Sequence, residues 1–213
     1  ALHALLTGER HGYYLDFGEL DHLARAMRAG YTYSGQRSAF RQRRHGNDPR
    51  ELPGRQFVVC AQNHDQVGNR MLGERLTALV DRESLKLAAA AVLLSPYIPL
   101  LFMGEEYGET APFLYFISHG DPELVQAVRR GRRQEFPSAD EPPDPQAEQT
   151  FARARIDPDL ARGGWHRTLA GLYRRLLALR REVPALQRPG KAGLEVTELD
   201  GARALLVRRT RDG

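Results

Sequence analysis

Gln62-Asn63-His64-Asp65-Gln66-Val67-Gly68-Asn69-Arg70 follows directly on the apolar, β-branched run Phe57-Val58-Val59-Cys60-Ala61. A buried strand that ends in a cluster of polar side chains is how α/β folds bring reactive groups to the carboxyl ends of their strands. His64 and Asp65 are therefore expected at the floor of a cleft. The run supplies one carboxylate, and no second convincing pair of acids accompanies it.

A second stretch repeats the pattern. Pro99-Leu100-Leu101-Phe102-Met103 reads as a short strand and leads into Gly104-Glu105-Glu106-Tyr107-Gly108. Between the two lies a helical pattern from Arg82 to Ser95, with Asp81 as its N-cap. That helix is apolar nearly all round and is expected to be packed on both sides; Pro96 ends it. Strand, helix, strand is a βαβ unit with an expected right-handed crossover. Continuous apolar strands are those of a parallel sheet buried on both faces. Two acidic, Gly-containing loops at one side fit a (β/α)8 barrel, and an open doubly wound sheet would read similarly.

Outward from this core, residues 1 to 8 read as a helix ending at Gly8, and Glu19 to Ala29 as a second, stopped by Gly30. Tyr31 to Arg44 shows no clean periodicity, and Gly46-Asn47-Asp48-Pro49 is turn chemistry. Leu72 to Val80 has a short helical pattern. Asp121 to Arg132 reads as a helix with Pro122 at its first position. Residues 137 to 150 read as an exposed loop, and Trp165 to Arg181 as an amphipathic helix. Leu194 to Leu199 alternates, Asp200-Gly201 is a hairpin signal, and Ala202 to Arg209 forms the second strand. The expected organisation is α/β: residues 1–185 form the C-terminal part of a barrel, and residues 190–213 the beginning of an all-β domain.

Composition narrows the class. Of 213 residues, 41% are apolar and 27% charged, as in ordinary soluble domains. Ala1 to Glu9 lacks the basic start and long apolar core of a signal peptide and reads as mid-fold helix. The most apolar segment, Leu85 to Ser95, is too short to span a membrane, so no membrane partner is expected. Cys60, the sole cysteine, excludes an intrachain disulfide and reads as a small buried hydrophobe in a reducing, cytoplasmic setting. The net charge of +4 comes from arginines interleaved with acids, including Arg129-Arg130 and Arg132-Arg133 on a solvated helix end. No zinc-ligand spacing or aromatic RNA-binding motif accompanies them, so nucleic acid is not expected as a partner.

The candidate residues each have a plainer alternative. His64-Asp65 is either a carboxylate and imidazole aimed at a substrate, or a turn in which Asn63 and Asp65 bond their own backbone. No second His or Cys pair provides a metal site there. One of Glu105 and Glu106 is expected to be structural, paired with an Arg such as Arg70. Tyr13, Tyr14, Tyr31, Tyr33 and Phe40 are candidates for a sugar-stacking wall, with ordinary packing as the alternative. His45 is polar and loop-placed, within reach of a cleft.

The strand running into Asn63-His64-Asp65 resembles the fourth conserved region of the α-amylase superfamily. The longer run to Arg70 is similar to one subfamily, the maltooligosyltrehalose trehalohydrolases. So are Thr7-Gly8-Glu9-Arg10-His11-Gly12-Tyr13-Tyr14, Tyr33-Ser34-Gly35-Gln36 through Arg43-Arg44-His45-Gly46, and Leu101-Phe102-Met103-Gly104-Glu105-Glu106-Tyr107-Gly108. The resemblance covers most of residues 1 to 182, and the set of four stretches in order is what makes it specific. The resemblance implies a retaining glycoside hydrolase that cuts the α-1,4 bond next to the trehalose end of maltooligosyltrehalose, with no cofactor. Asp65 would be the transition-state stabiliser. His64, Asp65, Gln66, Val67, Gly68 and Asn69 would bind substrate. Retaining chemistry needs two further carboxylates about 5 Å apart. The resemblance places these on barrel strands four and five, which would precede Ala1. The partners implied are an α-glucan oligosaccharide and the remainder of the barrel. Other readings are a branching or debranching enzyme of the same superfamily, or a non-catalytic glucan-binding protein.

Overall fold

A computed structural model describes residues 1–136, 140–199 and 201–211. Part of the expected exposed loop (Pro137, Ser138, Ala139), Asp200 of the hairpin signal, and Asp212 and Gly213 lie outside the described residues. The first elements are helices α1 (Leu2–Thr7) and α2 (Leu20–Ala29), then strands β1 (Arg37–Ser38), β2 (Arg43–Arg44) and β3 (Val58–Val59). Helices α3 (His64–Gly68), α4 (Leu76–Leu79) and α5 (Arg82–Leu93) lead to β4 (Ile98–Pro99). Helices α6 (Pro122–Glu135), α7 (Glu148–Arg153) and α8 (Gly164–Glu182) precede β5 (Leu194–Leu199) and β6 (Ala204–Arg209). The chain divides into two compact units: residues 1–61, 82–101 and 171–213, and residues 62–81 and 102–170.

In the first unit, β3 and β4 pair in parallel, Val58 opposite Ile98 and Val59 opposite Pro99, with α5 between them in the chain. This is the βαβ unit read from the sequence, though its ladder is short. Ile98 N–H donates to Phe57 O (3.0 Å) and Leu100 N–H to Val59 O (2.8 Å). Pro99, which has no N–H, falls at the position between these donors where the pairing asks for none.

Burial of α5 differs from expectation. Leu85, Ala88, Ala89, Val92 and Leu93 are buried, but Leu87 is 57% exposed. The helix therefore buries one broad face rather than its whole circumference. Its carboxyl end lacks intrahelical partners, as every helix end does. Arg180 of α8 satisfies it by donating to the carbonyls of Leu93, Ser95 and Tyr97. The Tyr97 hydroxyl reaches the Met27 carbonyl at 2.8 Å.

Strands β5 and β6 form an antiparallel hairpin in register from Leu194–Arg209 to Leu199–Ala204. Arg28 of α2 donates from Nε and Nη2 to the Val196 carbonyl (3.0 and 2.7 Å), so the hairpin is fixed to α2. Within the aperiodic stretch 31–44 lies a small antiparallel pair, Arg37–Arg44 and Ser38–Arg43, too short to leave a sequence period.

In the second unit, Asp121 caps α6 through the N–H groups of Glu123 and Leu124. The segment expected as exposed loop up to residue 150 instead enters α7. Thr150 is buried there, and its hydroxyl donates to the Asp144 carbonyl at 2.6 Å. Arg129 fixes Asp144 with two bonds of 2.9 and 2.7 Å. A charged sequence thus folds onto its own ion pair, which a reading based on apolar periodicity does not detect.

Candidate active site

The run that opened the sequence reading is a single helical turn. Asn63 is extended (φ −149°, ψ 179°), and its side chain accepts from the Gln66 N–H at 2.9 Å, capping α3. Asn63 therefore takes the structural role, and the two residues after it are left facing water. His64 Nε2 lies 3.3 Å from Asp65 Oδ1, with side chains 71% and 74% exposed. Asn69 is exposed as well, whereas Val67 is buried and anchors the turn. Gln66 is half-buried, and its Oε1 is enclosed without a hydrogen-bond partner. A Cβ on Gly68 would lie 3.5 Å from the Phe113 ring.

The turn is closed from behind. Gln62 is 3% exposed, and its Oε1 accepts from the Leu76 N–H at 2.9 Å, joining the two ends of the loop that carries α3. Arg70 Nε approaches Glu74 Oε2 at 3.5 Å. Phe113 N–H donates to the Gly73 carbonyl at 2.8 Å, tying this loop to the second acidic segment.

That second segment is built differently. Gly104 and Gly108, at φ 84° and 72°, bracket the 3-10 turn Glu105–Tyr107 in the left-handed region that favours glycine. A Cβ on Gly108 would stand 2.4 Å from the Trp165 ring. Glu105 is buried and accepts from the Phe102 N–H at 3.1 Å. Glu109, 1% exposed, accepts from the Tyr107 hydroxyl and from the N–H groups of Thr110, Ala111 and Asp157. Burial pushes the Glu109 pKa up, but these donors more than offset it and hold the carboxyl below its ordinary value.

Arg75 is buried among these acids. It donates to the carbonyls of Ala111 (2.6 Å) and Met103 (2.7 Å) and lies over the Phe102 ring at 4.8 Å. Burial lowers its pKa, and Glu109 is the largest of the acidic groups that favour its charge. Sequence reading missed both Arg75 and Glu109. No local pattern separates these two charges from their charged neighbours Glu74, Glu105 and Glu106.

The five aromatics proposed as one wall separate into pairs. Tyr13 and Phe40, 70% and 38% exposed, sit with ring centroids 5.4 Å apart. Tyr14 stacks on His3, Tyr31 tilts toward Phe57, and Tyr33 meets Phe17 and His45 edge-on. His45 is thus a packing partner of Tyr33. Among the described residues, no group of three or more His, Cys, Asp or Glu side chains is placed to hold a metal ion, and no helix is long and apolar enough to cross a membrane.

No family model matches the chain. It is 47% identical over 182 residues to the malto-oligosyltrehalose trehalohydrolase of Saccharolobus solfataricus, covering 85% of this chain and 31% of that protein. To the enzyme of the same name from a Rhizobium species it is 45% identical, covering 96% of this chain and 35% of the relative. To that of Mycobacterium tuberculosis it is 42% identical, covering 98% and 37%. The chain thus spans about a third of the length of the curated relatives it matches. A crystal structure described as an α-amylase from Salmonella typhimurium superposes with a TM-score of 0.85 at 39% identity, over 93% of this chain and 35% of that one. The fold is accordingly part of an α-amylase-type (β/α)8 barrel followed by the first strands of an all-β region. Over most of its length, the chain is kin to the malto-oligosyltrehalose trehalohydrolases of the α-amylase superfamily and corresponds to about a third of such a protein.

Proposed function

We propose that the protein to which this chain contributes is a retaining glycoside hydrolase that cuts the α-1,4 bond next to the trehalose end of maltooligosyltrehalose and releases trehalose. Asp65 stabilises the transition state by accepting hydrogen bonds from hydroxyls of the distorted, oxocarbenium-like sugar. His64 bonds a neighbouring hydroxyl, and Gln66, Val67, Gly68 and Asn69 complete the sugar-binding run. The nucleophilic Asp and the acid/base Glu are supplied from outside these residues, so the isolated chain is inactive. The reaction needs no cofactor, and the setting is cytoplasmic trehalose formation. The barrel part runs to about residue 185 and the β region begins at about 190.

The observation that supports this reading is the placement of Asp65. It follows strand β3 in the chain and is 74% exposed, on a helix whose capping is done by Asn63. It is therefore available to a ligand. The test is trehalose release from maltooligosyltrehalose by the longest natural form of the protein, with plain maltooligosaccharide as control. Asp65→Asn is expected to lose most of kcat while substrate still binds, roughly 10²–10³-fold as for removal of one preorganised electrostatic stabiliser. Wild-type turnover in this variant sinks the role given to Asp65. Glucan transfer without trehalose moves the protein to a branching-type activity of the same superfamily.

A further inference from the structure

We propose that Gln62 is a positioning residue for Asp65: its buried amide clasps the turn that carries Asp65 to the start of α4. The proposal rests on the reading of Asp65 as the transition-state stabiliser. Gln62 is 3% exposed, and its Oε1 accepts from the Leu76 N–H at 2.9 Å, fourteen residues further along the chain. A buried polar side chain is held where its hydrogen bonds are, because breaking them leaves polar groups without water to replace the partner.

The bond also does the work of a helix cap. Leu76 is the first residue of α4, and Arg75 before it gives that helix no side-chain cap. A free N–H at a helix start ordinarily takes its oxygen from the residue just before the helix. Here the oxygen comes from Gln62, while the Arg75 side chain donates to the carbonyls of Ala111 and Met103. The next residue, Asn63, caps α3 through the Gln66 N–H. Two adjacent amides thus cap the helices at both ends of one loop, and Asp65 lies in the first turn of the helix that Asn63 caps.

The support of the Asp65 carboxylate can therefore be followed residue by residue. Leu76 is buried and fixes one end, Gln62 joins that end to Asn63, and Asn63 sets the direction of α3, which buried Val67 anchors. A group that stabilises a transition state must be held in place before the charge develops. Misplacing such a group by about 1 Å can cost on the order of 10²-fold in rate. Gln62 touches no substrate in this scheme; it acts only through the turn.

The test is a double-mutant cycle in the longest natural form of the protein: wild type, Gln62→Met, Asp65→Asn, and the two together. Trehalose release from maltooligosyltrehalose gives kcat and KM, and hydrogen exchange reports on residues 62–76. Methionine nearly keeps the shape of glutamine but offers the Leu76 N–H no comparable acceptor. Gln62→Met is expected to lower kcat about tenfold with KM little changed, as for an interaction used in the transition state. In the Asp65→Asn background the same substitution should cost nothing further, because the group it positions is gone. Exchange should rise over residues 62–76 and stay as in wild type over α6. Gln62→Asn keeps an amide but is one methylene too short to reach Leu76; it should show the same losses, and it carries the cycle if the methionine variant does not fold. Wild-type kcat in both Gln62 variants overturns the proposal. So does a loss that multiplies fully with that of Asp65→Asn, which would mean that Gln62 serves the fold at large. Exchange over 62–76 that is unchanged in both Gln62 variants overturns the clasp whatever the activity. Raised exchange there in a protein that releases no trehalose supports the clasp and sinks the trehalohydrolase reading. Trehalose release that Asp65→Asn abolishes and neither Gln62 variant alters does the reverse.

Discussion

Two segments of the second unit, Gln62–Arg70 and Gly104–Ala111, look alike in the sequence: each is polar, acidic and glycine-containing, and each follows an apolar run. The structure gives them opposite roles. In the first, His64 and Asp65 stand 71% and 74% exposed, and the turn beneath them is held by neutral groups, the amides of Asn63 and Gln62. In the second, Glu105 and Glu109 are 6% and 1% exposed and use their oxygens on the protein's own N–H and O–H groups. A carboxylate whose lone pairs are filled by its own chain is scaffolding; one left in water beside a rigid turn is available to a ligand. The count of acids in a loop does not separate these cases, but the count of donors around each acid does.

Removing the charge that balances the buried acids should have the largest effect. Arg75→Met leaves the carbonyls of Ala111 and Met103 unpartnered and removes the buried charge that Glu109 favours. Breaking a buried charged arrangement from one side typically costs about 3–5 kcal/mol. The expected outcome is a loss of that order in urea unfolding, only partly recovered by Arg75→Lys because a single ammonium replaces two directed donors. A loss below about 1 kcal/mol breaks the contrast between the two segments.

Glu109→Gln should be next, at about 2–3 kcal/mol, because an amide sets an NH2 group against donors that need an acceptor. It also carries a pH signature. The folded pKa of Glu109 lies below its unfolded value, so its contribution is complete above about pH 4.3 and is lost as pH falls through the lower folded value. Urea midpoints measured from pH 7 down to pH 3 should fall in wild type. The share of that fall owed to Glu109 should be missing in the variant. Parallel pH curves for the two proteins would show that Glu109 is not held charged in the fold.

What was legible in the sequence follows from physical range. Gly8, Gly30, Asp121 with Pro122, and Pro96 set helix ends by local chemistry, and α1, α2, α5 and α6 begin or end close to where those residues place them. The βαβ order was legible in the two apolar runs, but burial on both faces was not borne out: Val58 of β3 is 61% exposed and Ile98 of β4 38%. The burial of Arg75 was not, since its partners Met103 and Ala111 lie 28 and 36 residues away and no local pattern encodes them. The same holds for the segment leading into α7, where Arg129 meets Asp144 fifteen residues later. The aromatic wall failed as a single feature because composition gives the rings but not the loop contacts that sort them. Asp16 performs that sorting through hydrogen bonds to residues 33, 38, 39 and 40.

The smallest expected effect sharpens the comparison most. If Asp65 belongs to a ligand and not to the fold, Asp65→Asn should leave unfolding stability within about 0.5 kcal/mol of wild type, as for a surface substitution with no special contact. Its side chain meets His64 at 3.3 Å in water, and an exposed pair of that kind contributes at most about 1 kcal/mol. The same acid-to-amide change at Glu109 alters charge and shape identically, so the difference between the two variants isolates the surroundings from the chemistry. Equal losses at both sites would mean that exposure is a poor guide to role here, and that Asp65 supports its own turn after all. A stable Asp65→Asn protein with lost turnover, beside a destabilised Glu109→Gln protein, separates the acid kept for substrate from the acid kept for the fold.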